Sequence, residues 1–429
     1  MLRAIYKRFD LAGHGTTLRT EGMAGLSNFF TVVYIVAVNA AILADSGIPL
    51  EAGILATVLT CFVGCLLMGL WANAPVILVP GMGVNAFFAY TIVRSMGLSW
   101  QEALAAVLLS GAVFALAAFT RLGDMLSRAV PQSLKEAITV GIGLFLTFIG
   151  LQKGGLIAAN QTTYVALGQL GSPEALVTLL TLLVVLFLHI RQVRGGFLIG
   201  ILFGTALAAL FGLVDWSGAQ QVNFSLAGYA HVLGAVSFDG IGSLAFWAAT
   251  FSLAMVVTFE TMGTLHGFLE RQEKTGRAYQ ASAVSAILAG VFGTSPTIVA
   301  VESAAGLTSG GKTGLTAVTT GVLFLLSLLF LPFIKLIPAS AIAPVLIVIG
   351  GLMITNVQKI PFHDFSEWFP AFLVIALIPL TYSIADGIAF GFLAYPVLKI
   401  ALGRAREVAT PLFVIAGLFL VNFVLHAVG

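Results

Sequence analysis

Charge is what this sequence has least of. Of its 429 residues only 9% are Asp, Glu, Lys or Arg, while 59% are hydrophobic. Soluble domains carry about 25% charged residues. No water-facing surface could hide so much apolar side chain, so a soluble fold is excluded and a polytopic membrane protein is expected. Cysteine is nearly absent too. Cys61 and Cys65 lie four apart on one apolar segment and read as neutral packing residues, not as a disulfide or a metal pair. No metal and no cofactor is expected. The first twenty residues, MLRAIYKRFDLAGHGTTLRT, have no apolar core and no small-residue cleavage site, so the first span is expected to act as its own insertion signal. A net charge of +2 gives no reason to expect nucleic acid as a partner.

Long apolar stretches are what is there. A spanning helix needs about 20 apolar residues. Segments of that kind fall at 22–44, 51–71, 76–96, 100–120, 131–150, 173–191, 195–214, 240–266, 278–294, 296–309, 313–336, 338–356, 367–384 and 385–403, with one more at 410–428. With residues 1–21 placed in the cytoplasm and fourteen crossings, every Lys and Arg falls on the inside except Arg94, Lys153 and Lys335. That is the positive-inside bias of a multi-pass protein of the cell (inner) membrane. The charge count leaves open whether 410–428 crosses again or lies within the bilayer.

Two segments break the pattern. NAPVILVPGMGVNAFFAY carries Pro75, Pro80, Gly81 and Gly83; GTSPTIVAVESAAG carries Gly293, Pro296 and Gly306. Pro and Gly resist a continuous helix. Each segment therefore reads as a short extended piece (76–80 and 296–300) followed by a half-helix starting near Gly83 and near Glu302. Interrupted segments at matching places in two halves point to a transporter's binding site. The halves echo each other elsewhere: PQSLKEAITVGIGLFLTFIGLQ with PASAIAPVLIVIGGLMITNVQ, and GGFLIGILFGTAL with DGIAFGFLAYPVL. Seven spans is an odd number, so a second copy in series must be inverted. The expected fold is all-α, with two inverted seven-span repeats.

Two carboxylates sit inside apolar segments: Glu260, in TFETMGT, and Glu302, on the broken tenth segment. A charge at bilayer depth costs about 2.5–3.5 kcal/mol on insertion scales, and such groups face the protein interior or a wet cavity. The plainer alternative is a structural hydrogen bond to the backbone of a broken helix. Glu302 opens a half-helix, where the helix dipole favours its ionised form. Glu260 lies in a continuous apolar helix and is the better candidate to load and release a proton. Asn85, with Gly81 and Gly83, marks the start of the other half-helix, where backbone N–H groups can meet a ligand. Thr264, at i+4 from Glu260, shares its face. Thr31 sits in LSNFFTVVYIVAVN; a Thr in a membrane helix more often bonds its own backbone. His266 is a weaker candidate for a proton relay.

One motif is set aside. Gly306–Thr313 reads GLTSGGKT, a formal match to the phosphate-binding loop G-x-x-x-x-G-K-[ST]. That loop needs a preceding strand and an α/β domain. Here a half-helix precedes it and a span follows, so an ATP-driven pump is not expected.

The stretches FFTVVYIVAVNAAIL, VPGMGVNAFFAYT, TFETMGTLHG, GTSPTIVAVESAAGLTSGGKTGLTA and TYSIADGIAFGF resemble the nucleobase–cation symporter family, in particular its adenine/guanine/hypoxanthine permease branch. The similarity runs from about residue 15 to about 405. It implies a core domain of segments 1–4 (22–120) and 8–11 (240–336), and a gate domain of segments 5–7 (131–214) and 12–14 (338–403). Substrate would lie between the domains, against the broken segments. By resemblance Glu260 takes the place of an acidic substrate-binding residue, and Glu302 that of the glutamate holding the base's ring N–H groups. Gly83 and Asn85 match the third-segment motif. Phe87 is a candidate to cover a face of the base, and Val301 joins the expected set beside Glu302. The branch has Asp where Glu260 stands, and a more threonine-rich sequence in place of PTIVA at 296–300. Dimerisation through the gate domains is a further implication. The expected function is import of a purine nucleobase by proton symport, with Na⁺ the second choice of ion. Uracil or an anion is the alternative solute, and a receptor or structural membrane protein the alternative class.

Overall fold

The structure, a computed structural model, describes residues 2–120, 129–214, 216, 226–269 and 272–428. It is mostly helical. An amphipathic α1 (Leu2–Phe9) leads into α2 (Leu18–Val32), α3 (Ile35–Asp45) and α4 (Leu50–Leu70). Next come the strand β1 (Leu78–Pro80), the half-helix α5 (Met82–Ala86), a π-helix (Phe87–Ser95) and α6 (Trp100–Phe119). After α7 (Gln132–Lys153) a hairpin, β2 (Ile157–Asn160) and β3 (Tyr164–Leu167), precedes α8 (Pro173–Ile190) and α9 (Gly196–Leu210). The second half holds α10 (Leu244–Phe268), α11 (Gln272–Phe292), β4 (Thr297–Val299), α12 (Ser303–Thr308) and α13 (Gly314–Ser327). It ends with α14 (Ala339–Ile354), α15 (Phe365–Thr381), α16 (Ile384–Ala401) and α17 (Thr410–Val428). Among the described residues nine helices are long and apolar enough to cross a membrane, and α9 and α15 are shorter apolar helices.

The helices form two packing groups. In one, α4 packs on α3, α11 and α13, and α6 on α10 and α11. In the other, α7 packs on α14 and α15, α8 on α9 and α14, and α15 on α16. Small residues allow the closest approaches, as is usual between membrane helices. A Cβ on Gly143 would stand 2.7 Å from the Gly350 carbonyl, and one on Gly150 2.9 Å from that of Ala343. The contact between α7 and α14 thus joins the two segments whose sequences echo each other. The terminal α17 lies mainly on α16, where Phe419 meets Phe392 at 6.1 Å, and also reaches Phe251 of α10.

The two broken segments meet. β1 and β4 pair antiparallel with Leu78 opposite Val299, Val79 opposite Ile298 and Pro80 opposite Thr297. Pro80 lacks an N–H and tolerates the strand end. The Ala300 N–H donates to the Ile77 carbonyl at 3.0 Å, and the Ile77 N–H to the Ser303 hydroxyl at 3.1 Å. The residues of both strands are buried, so their backbone groups must satisfy one another.

Several elements depart from the sequence expectation: it contains no hairpin such as β2–β3, and the eleventh segment's helix, α13, stops at Ser327 before a 3-10 turn. The first segment is not one helix: at Val33–Tyr34 it tightens, with Val36 N–H on Val33 O and Ala37 N–H on Tyr34 O, both at 3.1 Å. The third segment continues from α5 as a π-helix, closed by Met96 N–H on Thr91 O at 2.8 Å. The helix of the seventh segment, α9, ends at Leu210, short of the expected 214.

The GLTSGGKT stretch is held by the protein itself. Glu21, fully buried, accepts from the Lys312 N–H at 3.0 Å, the Thr313 N–H at 3.2 Å and the Thr316 hydroxyl at 2.6 Å. Asn28 accepts from the Gly306 N–H at 2.6 Å. A carboxylate of the first span occupies the donors that a phosphate would need.

Candidate functional site

The crossing strands aim the first turns of α5 and α12 into one cavity of about 1180 Å³. Its inner wall holds Tyr34, Gly83, Glu260, Val301 and Glu302. Its mouth lies where the N-terminus of α7 (Gln132, Lys135), the α8–α9 turn (Arg194) and the residues after α14 (Asn356, Lys359) come together. Neither half-helix is capped by the side chain of its own cap residue, Gly81 or Glu302, although Asn28 takes the Gly306 N–H of α12.

Glu302 is the residue immediately before α12. Tyr34, at the tightened turn of the first segment, donates its hydroxyl to Glu302 Oε1 at 2.6 Å. Among the described residues no other residue's side chain bonds this carboxylate. The Tyr34 ring also meets Phe197 of α9 edge-on at 5.1 Å, so one side chain touches both packing groups. Glu260, on α10, lines the same cavity and has no hydrogen-bond partner for its carboxylate among the described residues. Next to it, Phe259 lies under Lys135 of the other group, 5.2 Å from ammonium to ring centroid.

Thr31 and Thr264 both line the cavity, and both spend their hydroxyl proton on their own helix: Thr31 on the Ser27 carbonyl and Thr264 on the Glu260 carbonyl, each at 2.8 Å. Toward the cavity each hydroxyl is left with lone pairs only. Val301 is 67% exposed and faces the open space. Gly83 lines the cavity and also lets the two groups approach, since a Cβ there would stand 2.7 Å from Ile142 Cγ2 of α7.

Asn85 and Phe87 sit elsewhere than the sequence suggests. Both are fully buried behind the cavity wall. Asn85 accepts a hydrogen bond from Ser295, just ahead of β4, and so ties α5 to the second broken segment. Helical spacing carries residue 85 around the half-helix away from the face that Gly83 presents. His266 belongs to α10, but its side chain lies outside the described residues. Sequence reasoning missed Tyr34, Phe259, Lys135 and Phe197. Tyr34 was the one with a visible signal, a phenol within the apolar run VVYIVAV.

As arranged, the inner cavity is rich in acceptors: two carboxylates and two hydroxyls that have already donated. It suits a ligand that presents N–H donors. An anion would meet two carboxylates there, although Lys135 stands over the Phe259 ring beside Glu260.

Comparison with known proteins agrees in family and in fold. The model of the Permease family, Xan_ur_permease, matches residues 19–390. The chain is 49% identical over 381 residues to "Nucleobase transporter PlAzg2" of Paenibacillus larvae, covering 88% of this chain and 76% of that protein. It is 38% identical to "Guanine/hypoxanthine permease PbuO" of Bacillus subtilis, over 96% of this chain and 99% of that one. It is 35% identical to "Adenine permease AdeQ" of Escherichia coli, over 97% and 95%. Among solved structures the transmembrane domain of the cyanobacterial bicarbonate transporter BicA superposes with a TM-score of 0.66 at 16% identity, over 87% of this chain and 97% of that one. SLC26A9 superposes with a TM-score of 0.60 at 14% identity, over 90% and 65%. At those identities the likeness is one of fold.

Proposed function

Because this chain belongs to the Permease family, it is a membrane transporter and not an enzyme, and we propose that it imports a purine nucleobase together with a proton. The observation that carries this reading is the pairing of Glu302 and Glu260 in one acceptor-lined cavity beside the crossing strands. A purine is flat, apolar on its faces and edged with N–H groups. The Glu302 carboxylate takes a ring N–H in a charge-assisted bond, while Tyr34 holds it at Oε1. Thr31 and Thr264 accept from further N–H groups, and Phe259 and Val301 cover a face. Glu260 carries the proton. The relatives' names speak of adenine, guanine and hypoxanthine; the acceptor-rich wall favours such bases over the anions carried by a fold neighbour such as BicA.

The N-terminus and the basic mouth face the cytoplasm of a cell whose inner membrane holds the protein, in fourteen crossings built as two inverted repeats. The group containing α5, α10 and α12 is the core domain and the group containing α7, α9 and α14 the gate domain. The conformation described above is then open to the inside, and alternating access moves the core past the gate. The gate domains are also the expected dimer surface. A neutral base carried with one proton moves one positive charge inward, worth about 2.3 kcal/mol per 100 mV of membrane potential.

The test is uptake of labelled adenine, guanine, hypoxanthine, xanthine and uracil in cells lacking their own permeases, with and without a protonophore. A purine should accumulate and the protonophore should abolish the gradient. Accumulation that survives the protonophore and follows sodium would transfer the coupling to Na⁺; uptake of no purine would end the reading.

A further inference from the structure

The end of the molecule away from the cavity's mouth is shut by a compact set of contacts between the two groups. From Tyr34 at the cavity, α3 runs eleven residues to Asp45, about 16 Å further along the axis. From Lys135 at the mouth, α7 runs to Lys153, so its C-terminus reaches the same far end. There Lys153 Nζ lies 2.5 Å from Asp45 Oδ2. Tyr90 donates its hydroxyl to the same oxygen at 2.5 Å, and Arg94 Nε donates to the Asp45 carbonyl at 2.8 Å. Beneath this knot lie aromatic rings. Tyr382, in the left-handed conformation after α15 (φ 57°), packs edge-on against Tyr90 at 5.7 Å and Phe145 at 5.1 Å. One backbone bond completes the seal: the Ile384 N–H donates to the Thr91 hydroxyl at 3.0 Å. Asp45, Tyr90, Thr91 and Arg94 come from one group; Lys153, Phe145, Tyr382 and Ile384 come from the other.

We propose that Asp45 and Lys153, with Tyr90 and Tyr382, are the outer gate of the transport cycle, the contacts that must part before substrate can reach the cavity from the far side. This rests on the alternating-access reading above. The chemistry fits a seal that opens repeatedly. The ion pair is partly exposed, with side chains 28% and 20% accessible for Asp45 and Lys153, so water can take over both charges when they separate. Asp45 also sits between two cations. Without its charge, Lys153 and Arg94 face each other across the seam and repel, which favours the open state.

The experiment measures the gate directly. Spin labels at Ala44 and Gln152, both exposed neighbours of the pair, report the distance across the seam in purified protein. The two native cysteines are buried and do not compete for label. The otherwise unaltered chain should give one short distance. Asp45→Asn and Lys153→Gln should each add a longer population, and the exchange Asp45→Lys with Lys153→Asp should restore the short one. Recovery in the exchanged protein also shows that the changes do not unfold it. A single short distance in both single variants, or no recovery on exchange, overturns the proposal. The distances are read whether or not a purine is transported, so failure of the nucleobase reading shows separately, as absent uptake.

Discussion

Gly83 makes a prediction whose size can be worked from the structure. A Cβ at this position would lie 2.7 Å from Ile142 Cγ2, whereas ordinary carbon contacts begin near ~3.5 Å. Gly83→Ala therefore forces Ile142, or the whole of α7, to retreat by several tenths of an ångström. Overpacking of this kind costs about 1–3 kcal/mol, a factor of roughly 5–150 in an equilibrium. The contact lies between the two packing groups, so the cost should fall on the way the groups meet in this conformation rather than on the fold of either. Uptake by Gly83→Ala should drop by at least about fivefold with normal amounts of protein in the membrane, and Gly83→Leu should abolish it. Adding Ile142→Ala to Gly83→Ala removes the clashing methyl and should recover most of the loss. The assay is initial-rate uptake for the four members of the Gly83→Ala, Ile142→Ala cycle, each normalised to membrane expression. Full uptake by Gly83→Ala would show that the approach is not tight. A loss that Ile142→Ala leaves unchanged would mean that Gly83 serves ligand approach to the backbone instead of the contact with α7.

Three further outcomes are expected. Glu302→Gln should weaken equilibrium binding of purine severely, while Glu260→Gln should keep measurable binding and lose proton-driven accumulation; the opposite pattern in purified variants would exchange the two roles. Tyr34→Phe keeps the ring against Phe197 but removes a hydrogen bond to a charged acceptor, worth about 1.5–3 kcal/mol, so purine affinity should fall about tenfold or more, and an unchanged Kd by calorimetry would sink the positioning role. Away from the membrane, the Ser366 hydroxyl and the Arg404 guanidinium bond Asp364 and lower its carboxyl pKa to about 2. A group with a depressed folded pKa stabilises the fold above its ordinary value of 3.8 and loses that contribution as pH falls toward 2. Thermal unfolding in detergent should lose stability over that window, and Asp364→Asn should flatten the dependence there.

The sequence made legible what local chemistry dictates. Pro80, Gly81 and Gly83 in one half, and Pro296 in the other, mark where helices cannot continue, and the strands and half-helices lie there. Glu260 and Glu302 stood out because charge is so scarce around them. What stayed hidden depends on partners far along the chain. Nothing in VVYIV breaks a helix; the turn at Tyr34 coincides with its bond to Glu302, 268 residues away. The π-helix at Phe87–Ser95 has no Pro or Gly to announce it. Asn85 looked like a ligand-facing amide, yet its partner is Ser295, 210 residues later. The third and tenth segments could each be seen to be interrupted, but their mutual pairing is a non-local contact that no window along the chain reveals.

That pairing has a consequence for how the protein is made. β1 emerges from the ribosome more than two hundred residues before the β4 strand that satisfies it. Until then the backbone of residues 78–80 has N–H and C=O groups without their partners, and each such group exposed to hydrocarbon costs several kcal/mol. The third segment therefore cannot settle at its final depth when it is synthesised. It must wait in a wetter place, at the interface or within the insertion machinery, until the tenth arrives. The cavity beside the crossing is therefore completed late, only after residues 297–299 have been made.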